Sequence, residues 1–180
     1  MAQRLGLGLP TGIDFSDEKV GIMPDRDWKM ESRGLTWTPG ETVVAGIGQG
    51  FVLTTPLQLA VMTARIANRK YAVRPSLKAV TRRRDSIIFP PLDIAPEIMD
   101  VLHRGMRAVT NGSRGTARRY DLPQQGMAGK TGTVQVKRIT KEQREKGIVD
   151  NIDRPWKERD HALFVAFAPY QRPKLSLIHI

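Results

Sequence analysis

Cysteine is missing from all 180 residues, and with it go disulfides, thiolate metal sites and a cysteine nucleophile. Compartment stays open on this ground, although a cysteine-free chain is at ease in oxidising surroundings. Aromatic residues are scarce at 6% and the basic residues are scattered, a combination that argues against a nucleic-acid platform of stacked bases. Long apolar runs are lacking too. The longest clean one, Ala162 to Ala168, falls far short of the roughly 20 residues that a membrane helix needs. No apolar segment follows Met1-Ala2-Gln3-Arg4, so no signal peptide is read here and any export address is expected outside these residues. Acidic residues are outnumbered, 18 against 29 lysines and arginines, for a formal charge of +11. Such an excess suits an anionic surface or polymer as a neighbour. The three histidines, His103, His161 and His179, stand at no metal-ligand spacing, so neither a metal nor a cofactor is expected.

What is present begins with a loop composition, Leu5 to Ile13, carrying Gly6, Gly8, Pro10 and Gly12. From Phe15 to Pro39 the chain reads as irregular, broken at Pro24, Gly34 and Pro39, with Trp28 and Trp37 as local anchors. Gly46, Gly48 and Gly50 then fall at alternate positions, a spacing that suits a tight turn or a close backbone approach. A helix is well signalled next. Thr54 or Thr55 caps it, Pro56 takes its first position, and Leu57 to Ile66 are apolar on nearly every side, which predicts burial. Asn68 is placed to take the left-handed cap conformation. A second helix is predicted from about Pro96 to Thr110, amphipathic, with Ile98, Val101, Leu102, Gly105 and Val109 on its apolar stripe.

After Gly126 the period changes, and Thr133-Val134-Gln135-Val136 alternates as a strand. Lys137 to Asp160 is charge-rich, helix-permissive over Lys141 to Lys146, and reads as a solvated excursion between strands. Arg82-Arg83-Arg84 reads as a solvated turn. His161 to Ala168, a continuous apolar run ended by Pro169, has the pattern of a central strand covered on both faces. The fold class is α+β, with strands gathered in the last third.

Gly129-Lys130-Thr131-Gly132-Thr133 is the one segment dense enough in functional groups to decide a chemistry. A phosphate loop needs a glycine five residues before Gly129, where Gln124 stands, and a helix opening at Lys130. An alternating segment follows instead. The other reading is the Lys-Thr-Gly strand of serine acyl-transferases that react with penicillin. There Lys130 supplies a fixed charge for a substrate carboxylate and for proton traffic beside the nucleophile. Thr131 and Thr133 donate hydroxyls to the same carboxylate, Gly132 lets the acyl group pass close, and the Thr133 N–H completes an oxyanion hole.

The company of this segment carries a resemblance. Pro10-Thr11-Gly12-Ile13-Asp14, Gly46-Ile47-Gly48-Gln49-Gly50, Thr55-Pro56-Leu57-Gln58, Gly105-Met106, Gly115-Thr116-Ala117, Lys130-Thr131-Gly132-Thr133 and Phe167-Ala168-Pro169-Tyr170 occur in the order seen in class B penicillin-binding proteins. The Arg159-Asp160-His161 lead-in and the insertion before it look more like the elongation-specific penicillin-binding protein 2 branch than its division-specific relative. Residues 1–174 then resemble the C-terminal part of a transpeptidase domain, an incomplete penicillin-binding transpeptidase fold in which helices pack on an antiparallel sheet. The resemblance implies a peptidoglycan D,D-transpeptidase that cross-links stem peptides through a serine acyl-enzyme and is trapped by β-lactams. It also implies a periplasmic domain anchored in the inner membrane from outside this chain, and work beside the glycosyltransferase of the elongation complex. Lys130 is the catalytic residue carried over, and Thr131, Gly132 and Thr133 bind substrate.

The nucleophile is expected before Met1, which reads as an internal methionine, and the Ser-x-Asn element with it. Ser16 and Lys19 have the nucleophile's spacing, but in a polar loop, where an activated serine needs a buried lysine on a helix. At the other end, 175–180 reads as a non-native tail resembling a translated sequencing adaptor, its removal expected to leave the folded part intact. A penicillin-hydrolysing or penicillin-sensing relative fits the Gly46–Gly50 and Phe167–Tyr170 elements less well. The competing class is a non-catalytic wall- or partner-binding module that retains the Lys-Thr-Gly strand.

Overall fold

The computed structural model describes residues 1–78, 89–120, 122, 126–136, 140–145, 147 and 149–180. Among them five α-helices precede or separate three strands: α1 Arg26–Arg33, α2 Pro39–Gly46, α3 Pro56–Asn68, α4 Pro96–Asn111, β1 Ala128–Val134, α5 Lys141–Glu145, β2 His161–Ala168 and β3 Leu175–His179. The strands form one antiparallel sheet in the order β1-β2-β3. This is the α+β architecture expected. Arg82-Arg83-Arg84, Gln124, Lys137 and Lys146 lie outside the described residues.

The stretch from Phe15 to Pro39 is not irregular throughout, since α1 forms inside it. Its signals are polar rather than apolar. Asp25 accepts a hydrogen bond from the Trp28 N–H at 2.8 Å, and Gly34 closes the helix in the left-handed conformation at φ 65°. Pro39, read as a breaker, takes the first position of α2, where its missing N–H costs nothing. Glu41 fastens α2 to what precedes it. Its carboxylate accepts from the Thr38 N–H at 2.7 Å and forms an ion pair with the buried Lys29 ammonium at 2.6 Å. These donors, Lys29 foremost, hold the Glu41 carboxyl below the usual range.

The buried helix α3 opens on Thr55 and Pro56 as expected, with a reciprocal capping box. Thr55 Oγ1 accepts from the Gln58 N–H and Gln58 Oε1 accepts from the Thr55 N–H, each at 3.1 Å. Gln58 is fully buried and donates its amide to the Leu9 carbonyl at 2.9 Å, which ties the first loop to the helix. Arg69, not Asn68, takes the left-handed cap at φ 68°. Asn68 works beside it, its Oδ1 accepting from the N–H groups of Lys70 and Tyr71. Arg65 lies buried, its guanidinium donating to the Val73 and Arg4 carbonyls, and burial followed by the charge of Arg74 lowers its pKa.

On α4 the apolar stripe sits one position round from where the pattern put it. Met99, His103, Met106 and Thr110 face inward, whereas Ile98 and Val101 are exposed. The inward set repeats at four, three and four residues, a true helical face that includes two polar side chains and so escaped a hydrophobicity count. Both polar groups are satisfied. His103 Nε2 donates to the Ile66 carbonyl at 2.7 Å, and Thr110 Oγ1 donates to the Met127 carbonyl at 2.6 Å. Phe167 packs at a tilt against the His103 ring with centroids 5.0 Å apart, and Tyr170 stacks on Phe167 to close the cluster. The core joins this face of α4 to Ile66 and Ala67 of α3, Ala128 of β1, and Val165 and Phe167 of β2.

β2 is the central strand, as expected, and Val165, Ala166 and Phe167 are buried on both faces, whereas its first residues are exposed. Residues 175–179 do not stand apart from the fold. They pair with β2 from Phe164↔His179 to Ala168↔Leu175, Ser176 Oγ donates to the Ala60 carbonyl at 2.7 Å, and Ile178 packs on the core.

Two predictions follow from this packing. Deleting Leu175 to Ile180 removes the β2–β3 ladder and uncovers Val165 and Phe167, so the thermal midpoint of the 180-residue chain should fall by at least about 5 °C in a calorimetric scan. An unchanged midpoint would place these residues outside the cooperative unit. The second concerns His103, whose pKa is lowered, first by burial and then by the charge of Arg69. The unfolded chain therefore takes up this proton more readily than the folded one. Stability is complete above about pH 6.5 and declines as pH falls below it. The lowered carboxylates of Asp14, Glu18 and Glu41 act below their ordinary range and leave that window to His103. Urea midpoints measured at pH 7.5 and 5.5 should drop for the parent and stay level for His103→Gln, which keeps a donor for Ile66.

Candidate active site on the open edge of the sheet

β1 carries all four expected site residues, in the register Lys130↔Val165, Thr131↔Phe164, Gly132↔Leu163 and Thr133↔Ala162. The strand starts earlier than the alternating pattern implied, because Ala128 and Gly129 are buried and hide the period. Gly129 is required by packing: a Cβ there would lie 2.6 Å from the Phe164 ring and 2.7 Å from the Val165 carbonyl. From Lys130 onward the strand is at the surface.

Among the described residues only β2 pairs with β1, so the far side of β1 is an open edge. Side chains alternate across the sheet, which puts Thr131 and Thr133 on one face and Lys130 and Gly132 on the other. The Lys130 side chain therefore leaves the strand on the face opposite the two hydroxyls. Lys130 bends along it and donates its Nζ hydrogen to the Thr131 carbonyl. The Thr133 carbonyl accepts a hydrogen bond from Gln49 Nε2 at 3.0 Å, and so faces the open edge. In an antiparallel strand the N–H and C=O of one residue point the same way, so the Thr133 N–H is directed to that edge as well.

Two further segments converge here, and each had been noticed in the sequence without a role. Gln49 comes from the glycine-rich turn after α2, where Gly48 and Gly50 adopt φ 75° and 74° and the Gln49 N–H donates to the Val44 carbonyl. Thr116 follows the end of α4, and its hydroxyl lies 2.8 Å from that of Thr131. Gly115 makes this approach possible, because a Cβ at that position would meet the Val109 carbonyl at 2.3 Å. The turn is closed by Ala117 donating its N–H to the Val109 carbonyl. Beside Thr116 an open depression of about 690 Å³ is lined by Gly115, Thr116, Arg118, Arg119 and Tyr120. The only sequence signal for Gln49 and Thr116 was the shared order of short segments, since neither residue type declares a chemistry alone.

The arrangement offers paired hydroxyls on one face, an N–H at the edge, an ammonium nearby and cationic side chains at the rim. Such a surface can seat a carboxylate and stabilise an oxyanion developing next to the strand. Ser16 and Lys19 are both exposed, Ser16 in a turn, and lack the buried lysine that activation of the hydroxyl requires. Among the described residues no group of His, Asp or Glu is arranged to hold a metal ion, and no helix is long and apolar enough to cross a membrane.

The chain is 34% identical over 179 residues to the peptidoglycan D,D-transpeptidase MrdA of Haemophilus influenzae, which covers 94% of this chain and 27% of the relative. Among solved structures it resembles penicillin-binding protein 2 of Pseudomonas aeruginosa in complex with WCK 5153, at a TM-score of 0.77 and 36% identity over 98% of this chain and 35% of that one. The complex of penicillin-binding protein 2 and MreC from Helicobacter pylori gives a TM-score of 0.78 at 31% identity, over 98% and 30%. The chain thus spans under a third of the length of the curated relatives it matches first. The expected likeness to the penicillin-binding protein 2 branch is borne out. The model of the penicillin-binding protein transpeptidase domain matches residues 1–180, and the chain belongs to that family.

Proposed function

We propose that these residues are the C-terminal part of the transpeptidase domain of a longer peptidoglycan D,D-transpeptidase active in cell-wall elongation. The observation that carries the reading is the open edge of β1, where the Thr131 and Thr133 hydroxyls share a face and the Thr133 N–H points outward beside Lys130. A serine from the preceding part of the domain attacks the carbonyl of the penultimate D-Ala of a stem peptide. Its proton passes to a neighbouring base, the C–N bond breaks, and the terminal D-Ala leaves as the amine. The acyl group then moves to an amine of a second strand. Thr131 and Thr133 hold the terminal carboxylate, the Thr133 N–H faces the oxyanion, and the Lys130 ammonium, held at the Thr131 carbonyl, steadies charge along the edge. β-Lactams, which imitate the D-Ala-D-Ala end, acylate the same serine. The reading places the domain in the periplasm, anchored in the inner membrane by a segment outside this chain, beside the glycosyltransferase of the elongation complex.

The test is second-order acylation of the full-length parent by a penicillin, with folding checked by circular dichroism. Lys130→Ala removes a charge-assisted interaction worth roughly 1.5 to 3 kcal/mol, so acylation should slow by about ten- to a hundredfold. Lys130→Arg keeps the charge without the compact ammonium and should recover only part of the rate. Thr133→Ala keeps the backbone N–H and should cost less than Lys130→Ala. A folded Lys130→Ala protein that acylates at the parental rate would remove this strand from the active site. A further expectation is that the 180-residue chain alone takes no label from a fluorescent penicillin; a covalent adduct mapped to Ser16 would contradict it.

A further inference from the structure

Gln49 occupies a hydrogen-bonding position that an incoming peptide needs. A sheet edge recognises an extended peptide through its main chain, with the N–H groups of the peptide donating to outward carbonyls of the edge and its carbonyls accepting from outward N–H groups. On β1 the outward groups around the motif belong to Thr131 and Thr133, two residues apart, as strand geometry requires. The Thr133 carbonyl already accepts from a carboxamide, the Gln49 side chain, at 3.0 Å. A carboxamide N–H is chemically the same donor as a backbone amide. The contact joins residues 84 apart in sequence, and it is borne on a turn whose backbone hydrogen bonds all run back to α2. The Ile47 and Gln49 N–H groups donate to the Val44 carbonyl and that of Gly48 to the Ala45 carbonyl. The backbone of this turn therefore stays anchored when the side chain swings away.

We propose that Gln49 is a displaceable cap on the catalytic edge, whose carboxamide holds the Thr133 carbonyl until the amide N–H of a bound acyl-donor peptide replaces it. The inference rests on the transpeptidase reading above and adds to it a requirement on the substrate. A donor with an amide N–H in register with Thr133 exchanges one hydrogen bond for another. A donor without that amide leaves Gln49 in place and gains nothing from its removal.

The experiment measures second-order acylation of the full-length parent, Gln49→Ala and Gln49→Met by two penicillins. One is benzylpenicillin, which carries a side-chain amide; the other is penicillanic acid, which carries only hydrogen there. Methionine keeps the length of the side chain without a charge or a hydrogen to donate, so the two variants should behave alike. Both should be acylated about two- to tenfold faster than the parent by benzylpenicillin, the factor expected from freeing an acceptor held by one ordinary hydrogen bond. Both should match the parent with penicillanic acid. Equal slowing with both penicillins would make Gln49 a support for the strand and overturn the proposal, and so would an unchanged rate with benzylpenicillin. A parent protein that neither penicillin acylates would instead refute the transpeptidase reading itself.

Discussion

Among the described residues β1 pairs with another strand on one side only, and side chains meet its other edge. An unpaired strand edge attracts other strands, and proteins usually blunt it. Here the blunting is done by side chains, with the Lys130 ammonium on the Thr131 carbonyl midway along the strand. Before the strand, the Met127 carbonyl takes hydrogen bonds from Thr110 and Arg107 of α4. Near its other end Gln49 covers the Thr133 carbonyl. Between them lies a stretch too short to template aggregation and long enough for a few residues of a bound peptide. The helices supply the floor beneath: Phe167 and Val165 of β2 rest on α3 and α4, which fixes the plane from which the edge projects.

Five polar residues inside the molecule follow a common rule. Lys29, Gln58, Arg65, His103 and Thr110 are all buried, and each finds a carbonyl or carboxylate. Buried polar groups left without partners cost more than paired ones gain, so each of these contacts specifies an arrangement. Lys29 with Glu41 sets α2 against α1, and α2 in turn carries the turn that holds Gln49. Gln58 fixes the first loop on α3. Gly21 belongs to the same frame, since a Cβ there would meet the Leu53 carbonyl at 2.0 Å, where Ile22 and Leu53 exchange backbone hydrogen bonds.

How much of this was legible beforehand depended on which force shaped each element. The capping signals of α3 are local, and Thr55-Pro56 gave its start to the residue. The order of the short motifs pointed to the family and to Lys130, Thr131, Gly132 and Thr133 on a strand. The short helix α1 was hidden because its sequence is polar and its caps, Asp25 and Gly34, were read as loop residues. The α4 stripe slipped because His103 and Thr110 are buried through hydrogen bonds that only the tertiary fold supplies. The convergence of Gln49 and Thr116 on β1 is wholly non-local, and no spacing along the chain encodes it.

The packing of Phe164 against Gly129 draws a line across β1 between interior and surface. On the near side a single added methyl group collides with a ring and a carbonyl. Two and four positions on, the side chains of Thr131 and Thr133 meet solvent and small polar neighbours. Variation is thus sorted by position. Selection that altered which ligands this edge accepts would find its tolerated substitutions at the exposed positions, because changes there leave the core untouched. Any change at Gly129 would disturb folding and recognition at once. The strand can drift in what it binds more freely than in what it rests on.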